Sequence, residues 1–131
     1  VTEKPKENQL IEAKPVKHTG HNGLNSSKGV RNDLSRNFPN PRFYHFSTDI
    51  NGTKLITDSG PDDNGGQIYI AEFGEYGKDP LLNWTHIACP NSSWKKETHI
   101  HPFLSPDGKT GFFNSDESGF LQAYLIKGIS I

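Results

Sequence analysis

From Arg42 onward the chain breaks into short apolar runs separated by turn-forming residues, and that punctuation dominates its pattern. Phe43-Tyr44-His45-Phe46-Ser47 reads as a first strand, Lys54-Leu55-Ile56-Thr57 as a second, Gln67–Phe73 as a third and Trp84–Cys89 as a fourth. Each is rich in aliphatic, β-branched or aromatic residues and is bounded by Gly, Pro, Asn or Asp, which is how strands announce themselves. The turns between them are Thr48–Gly52, ending in Asn-Gly, then Asp58–Gly66 and a Gly/Pro loop after Phe73. A second series follows: a strand entered at His99, a Ser105-Pro106-Asp107-Gly108 turn, a strand through Phe113, a polar turn at Asn114–Asp116, and a strand at Gln122–Ile126. No segment holds helical spacing for two turns. Residues 1–41 carry few aliphatic side chains and a run rich in Gly, Asn and Ser, and they are expected to be mostly irregular.

The two series imply a repeat. Ser47-x-Asp49 and Ser105-x-Asp107 start matching turns 58 residues apart, and Tyr69 and Tyr124 occupy third strands 55 apart. Four antiparallel strands with a polar first turn is the signature of a β-propeller blade. The expected fold is therefore all-β: two antiparallel four-stranded blades over residues 42–131, the second reaching three strands before Ile131, after an irregular segment over 1–41. Two blades do not close a propeller. The remaining blades are expected from the same or another chain, and a start at Val1 with no Met suggests an excised segment.

Bulk properties narrow the function classes. A length of 131 residues suits one domain. A net charge of -1 gives no electrostatic case for nucleic acid or an anionic membrane surface, and no apolar run approaches a membrane span. The single Cys89 rules out an internal disulfide framework. Asn-x-Ser/Thr triplets at Asn25, Asn51, Asn83 and Asn91 matter only on a eukaryotic secretory route.

Histidines carry the candidate chemistry. His99 and His101 are one residue apart on a segment expected to be extended, so alternation sends both imidazoles, and Glu97, to one face. Imidazoles with a carboxylate suit Zn, Mn, Fe or Ni. His45 lies just before the first turn of its own unit, as His99 and His101 do in theirs, although His45 and His101 stand at different distances from their Ser-x-Asp turns. Neighbouring blades would bring all three to one mouth. The alternative is a solvated or hydrogen-bonded pair of histidines on a strand. His86 is expected to be structural, and His18 and His21 to be surface groups. Asp62-Asp63-Asn64 lacks the spacing of a calcium loop and reads as a turn. Trp84 and Trp94 suit core packing or sugar stacking. Arg42 is a candidate for binding an anionic substrate.

The run His99-Ile100-His101-Pro102-Phe103-Leu104-Ser105-Pro106-Asp107-Gly108-Lys109, with Asn114-Ser115-Asp116 and Gln122-Ala123-Tyr124-Leu125, resembles the last blade of the oligogalacturonate lyase family. More broadly, residues 42–127 look like the TolB-like propeller repeat. The Ser-Pro-Asp-Gly-Lys portion recurs in many propellers, whereas His-x-His-Pro just before it is more specific. The resemblance implies a seven-bladed propeller that cleaves oligogalacturonides, the fragments of pectin, by β-elimination. It implies a divalent ion, Mn first, on His99, His101 and His45, with Glu97 near the place of the family's glutamine, where this chain reads Lys95-Lys96-Glu97. The family's catalytic base and its companion arginine belong to an earlier blade, so no catalytic residue is assigned. The isolated segment is expected to be inactive, and a periplasmic or secreted setting is preferred to a cytoplasmic one. The competing expectation is a non-catalytic TolB-like propeller used for binding or assembly.

Overall fold

The computed structural model describes residues 11–14, 30–33, 43–62, 65–73 and 81–129. Every regular element in them is an antiparallel strand, so the chain is all-β. Strands β1 (Ile11–Lys14) and β2 (Val30–Asp33) pair with each other, Ile11 opposite Asp33 and Lys14 opposite Val30. That ladder is regular structure inside the segment expected to be mostly irregular. Its strands carry only three apolar residues between them and are far apart in sequence, so no local period announces them.

Strands β3 (Phe46–Thr48), β4 (Lys54–Asp62), β5 (Gly65–Phe73) and β6 (Leu81–Ala88) form a four-stranded sheet in chain order. Strands β7 (Phe103–Leu104), β8 (Gly111–Ser115) and β9 (Gln122–Ile126) form a second sheet, with three strands among the described residues instead of the four of a complete unit. The hairpin expected across Asp58–Gly66 is much tighter. Strand β4 runs on through Asp58 and Ser59, opposite Ile68 and Gln67, to a bulge before Asp62. Gly60 sits at that bulge with φ 112°, a conformation open to glycine and costly for other residues.

Equivalent turns set the register between the units. In the first, Asp49 N–H donates to Lys54 O (3.2 Å) and Gly52 N–H to Asp49 O (3.1 Å); in the second, Ser105 N–H donates to Thr110 O (2.8 Å) and Gly108 N–H to Ser105 O (2.9 Å). The side chains follow suit, since Lys54 N–H donates to Asp49 Oδ1 and Thr110 N–H to Ser105 Oγ, both at 3.0 Å. Asp49 thus corresponds to Ser105, an offset of 56 residues and not 58. On that register His45 corresponds in number to His101 and Asp58 to Asn114, but the bonding slips by one residue there: Asp58 N–H donates to His45 O, whereas Asn114 N–H donates to Ile100 O.

The central strands β4 and β5 of the four-stranded sheet are buried on both faces. Leu55 and Ala71 meet Phe43 on one side, with Tyr69, Phe73 and Trp84 packed around them. On the other, Ile56, Ile68 and Ile70 meet Ile100, Leu104 and Phe113 from the second unit. Period-two alternation produces this division, because Leu55 and Ile56 are neighbours on β4 and must face opposite ways. Each fully buried isoleucine contributes on the order of 1.5–3 kcal/mol. Polar ties pin the two sheets at one end: Leu104 N–H donates to Ser47 Oγ (3.0 Å) and Ile50 N–H to Pro106 O (2.9 Å).

Candidate metal centre

His45 immediately precedes β3 and is held by the fully buried Asp58 of β4. The carboxylate Oδ1 accepts from Tyr44 N–H (2.8 Å) and His45 N–H (2.9 Å), while Oδ2 lies 2.5 Å from His45 Nδ1. His45 O accepts in turn from Asp58 N–H (3.2 Å) and Thr57 Oγ1 (3.0 Å). Backbone and ring are thus fixed by one neighbouring strand. Asp58 belongs to a stretch that reads as a turn, and its role went unseen in the sequence. The signal that finds it is the β3–β4 register, in which Phe46 lies opposite Thr57 and His45 therefore comes beside Asp58.

His99 and His101 are positioned by different means. Asp116, just past β8, accepts from Ser93 N–H (2.7 Å) and Ser93 Oγ (2.5 Å); Ser93 Oγ also contacts Thr98 Oγ1 (2.8 Å), and Ser92 Oγ donates to Thr98 O (2.6 Å). These bonds tie the approach to His99 onto the end of the second sheet. Hydrogen bonding from the Ser93 hydroxyl and then from the Ser93 N–H holds the Asp116 carboxyl below its ordinary value, burial opposing weakly. Ile100 anchors the segment, fully buried and with its carbonyl accepting from Asn114 N–H at 2.8 Å.

The segment from His99 to Pro102 is not a strand, contrary to the extended reading; β7 spans only Phe103–Leu104. His101 has φ 44°, in the left-handed region where non-glycine residues are strained by about 1–3 kcal/mol. Simple alternation therefore does not bring His99 and His101 together. The kink does, leaving their rings 6.1 Å apart at 27°.

The three imidazoles converge from the segments leading into the two sheets. Ring centroids lie 3.9 Å apart for His45 and His101 and 5.6 Å for His45 and His99, and one ligand nitrogen from each lies within 4.8 Å of the others. A tetrahedral ion with bonds of about 2.1 Å holds its nitrogens roughly 3.4 Å apart. The cluster fits an ion after side-chain shifts of about an ångström. Burial, then the neighbouring His45 and His99, hold the His101 imidazole below its ordinary value, with Asp58 acting the other way. That favours the neutral form a metal requires.

The remaining expected site residues fall elsewhere. Glu97 is exposed and is not part of the converging group. Arg42, His18 and His21 lie outside the described residues. His86 is exposed on β6 with its ring 5.3 Å from Tyr69. Trp84 and Trp94 pack against the two cores, and Trp94 also approaches His99 and Tyr44, at 5.5 and 5.9 Å between rings. Beside the imidazoles a cavity of about 440 Å³ is lined by Tyr44, His45, Phe46, Ser47, His101, Pro102 and Phe103. Its aromatic walls offer ring faces next to the nitrogen cluster.

Set against family models, curated proteins and solved structures, the chain matches none.

Proposed function

We propose that His45, His99 and His101 hold one divalent metal ion, Mn first, and that the site grips a uronate carboxylate in a lyase acting on oligogalacturonides. The observation that carries this is the convergence of three imidazole nitrogens, from the segments leading into two separate sheets, to within 4.8 Å. The substrate class and the β-elimination follow from the resemblance of the His99–Lys109 run. Bound there, a divalent ion would supply Lewis-acid stabilisation of the charge that builds on the carboxylate as its α-proton leaves. The chain's own contribution is to hold neutral nitrogens at one point and to seat a sugar ring against Tyr44, Phe46 and Phe103 beside them. The resemblance puts the family's proton acceptor in an earlier blade, and no residue of this chain is assigned that role.

The two facing sheets, related by a 56-residue register, support a reading as neighbouring propeller blades, with further blades supplied by the same or another chain. A second reading, a non-catalytic TolB-like propeller for binding or assembly, draws on the exposed Phe103 and Leu125 of the second sheet. Elemental analysis of the chain, with and without His99→Ala plus His101→Ala, separates the readings. About one Mn per wild-type chain and none in the variant supports the metal site; equal content in both rules it out. Ultraviolet absorbance from an unsaturated uronide, with the complete protein, oligogalacturonide and Mn²⁺, tests the lyase; no product from a metal-loaded protein leaves the binding propeller.

A further inference from the structure

The 56-residue register sets His45 against His101 in number, yet the two are held differently. Opposite His45 stands Asp58, a fully buried carboxylate; at the place matching it in number near His101 stands Asn114. Asn114 gives its N–H to Ile100 O, and no side-chain bond from it to His101 is present among the described residues. His45 thus has a hydrogen-bonded acidic partner, and His101 has none among the described residues.

We infer that Asp58 is a positioning residue that fixes the tautomer of His45, a proposal that rests on the metal-site reading above. A carboxylate only accepts hydrogen bonds. Oδ1 is occupied by the N–H groups of Tyr44 and His45, so the carboxylate cannot turn away, and Oδ2 faces Nδ1 at 2.5 Å. The proton of neutral His45 therefore sits on Nδ1. Nε2 carries the free lone pair, and it is the nitrogen left for an ion shared with His101 and His99. A carboxylate behind a ligating imidazole also raises its basicity and locks its ring plane. Asp58 is an unusual residue to bury for packing alone, since a buried carboxylate is costly unless its bonds are met. Here they are met by the backbone and the ring of a single candidate ligand.

Asp58→Asn makes the argument sharp. An amide keeps Oδ1 for the two backbone donors but presents NH₂ where Oδ2 was. Flipping the amide would set NH₂ against two N–H groups, so the unflipped orientation persists. The NH₂ then donates to Nδ1, the ring proton moves to Nε2, and the lone pair faces away from the cluster. A near-isosteric change thereby removes one metal ligand without removing an imidazole.

The test combines ¹⁵N-imidazole NMR of the metal-free chain with Mn²⁺ and Zn²⁺ titration. Wild-type His45 is expected as the Nδ1–H tautomer, a measurement that needs no variant to fold; finding Nε2–H overturns the proposal. Asp58→Asn is expected to switch the tautomer and to weaken metal binding about 10–100-fold, with His45→Ala adding little in the double variant. If the wild-type chain binds metal and folded Asp58→Asn binds it equally well, this inference falls while the metal site stands. Should the wild-type chain bind no metal, the site itself falls, and the ligand-positioning role of Asp58 with it.

Discussion

The four-stranded and three-stranded sheets are built on one repeat but differ in what covers them. In the first, Leu55, Ile56, Ile68, Ile70 and Ala71 are all buried, and β4 and β5 are covered on both faces. Coverage there extends to polar residues: Thr57, Asp58 and Ser59 are buried in line after the aliphatic pair. In the second, β8 alternates buried and half-buried positions, and β9 is largely exposed. Phe103, Phe112 and Leu125 form one cross-strand row, with Phe103 half exposed and Leu125 47% exposed. A doubly covered sheet hides its polar residues and so can place a carboxylate behind a histidine. A singly covered one leaves its histidines to be positioned by a kink and a loop.

The difference is open to direct attack, beginning where it is largest. Ile100 is the fully buried link from the second unit into the core of the first. Ile100→Ala is expected to cost about 2–5 kcal/mol in denaturant unfolding, whereas Leu125→Ala, on the open face, should change stability by less than about 1 kcal/mol. Comparable losses at the two positions would remove the distinction between the sheets. Next comes Gly66, where an added Cβ would lie 2.1 Å from Ile100 Cδ1 and 2.8 Å from Trp94 Nε1. Gly66→Ala is expected to cost about 1–3 kcal/mol by overpacking, and a crystal structure of that variant should show Trp94 displaced towards His99.

Smaller effects follow from titration. His101 binds its proton less readily in the folded chain than in the unfolded one. The unfolded state therefore takes up more protons as pH falls through the ordinary value of 6.5, and the metal-free chain loses stability below it. That slope should disappear in His101→Gln. Asp116 gives the same direction at lower pH, because its carboxyl is held below the ordinary 3.8 by Ser93. Its stabilisation is present above that value and is lost as pH falls further. Ser93→Ala should flatten the acid limb of the unfolding curve; an unchanged limb would place the tie elsewhere.

Much of the strand pattern is legible in the sequence. Alternation around Leu55–Ile56 and Ile68–Ile70 marks β4 and β5, and Asn51-Gly52 and Asp107-Gly108 mark the β3–β4 and β7–β8 turns. Three misreadings have physical causes. Asp58, Ser59 and Gly60 are turn-forming by type, yet packing on both faces of the sheet keeps them in a strand. Aligning the units on Ser-x-Asp instead of on the glycines shifts the repeat by two residues, which hides the match in number of His45 with His101; the pairing of Asp58 with His45 follows from the β3–β4 register, hidden because Asp58 reads as a turn residue. The left-handed backbone at His101, directly before Pro102, is set by Ile100 sinking into a core that local spacing does not reveal. Of the candidate site, the three histidines could be read from their positions; what orients them could not.

The central claim is that one ion is shared between the two sheets, and His45 decides it, being the sole histidine of the group contributed by the first. Calorimetric titration of the full chain with Mn²⁺ and Zn²⁺ should give about one ion per wild-type chain. His45→Ala should weaken binding by at least the roughly 10–100-fold expected of Asp58→Asn. Undiminished binding by His45→Ala would confine any site to the second unit and contradict the account.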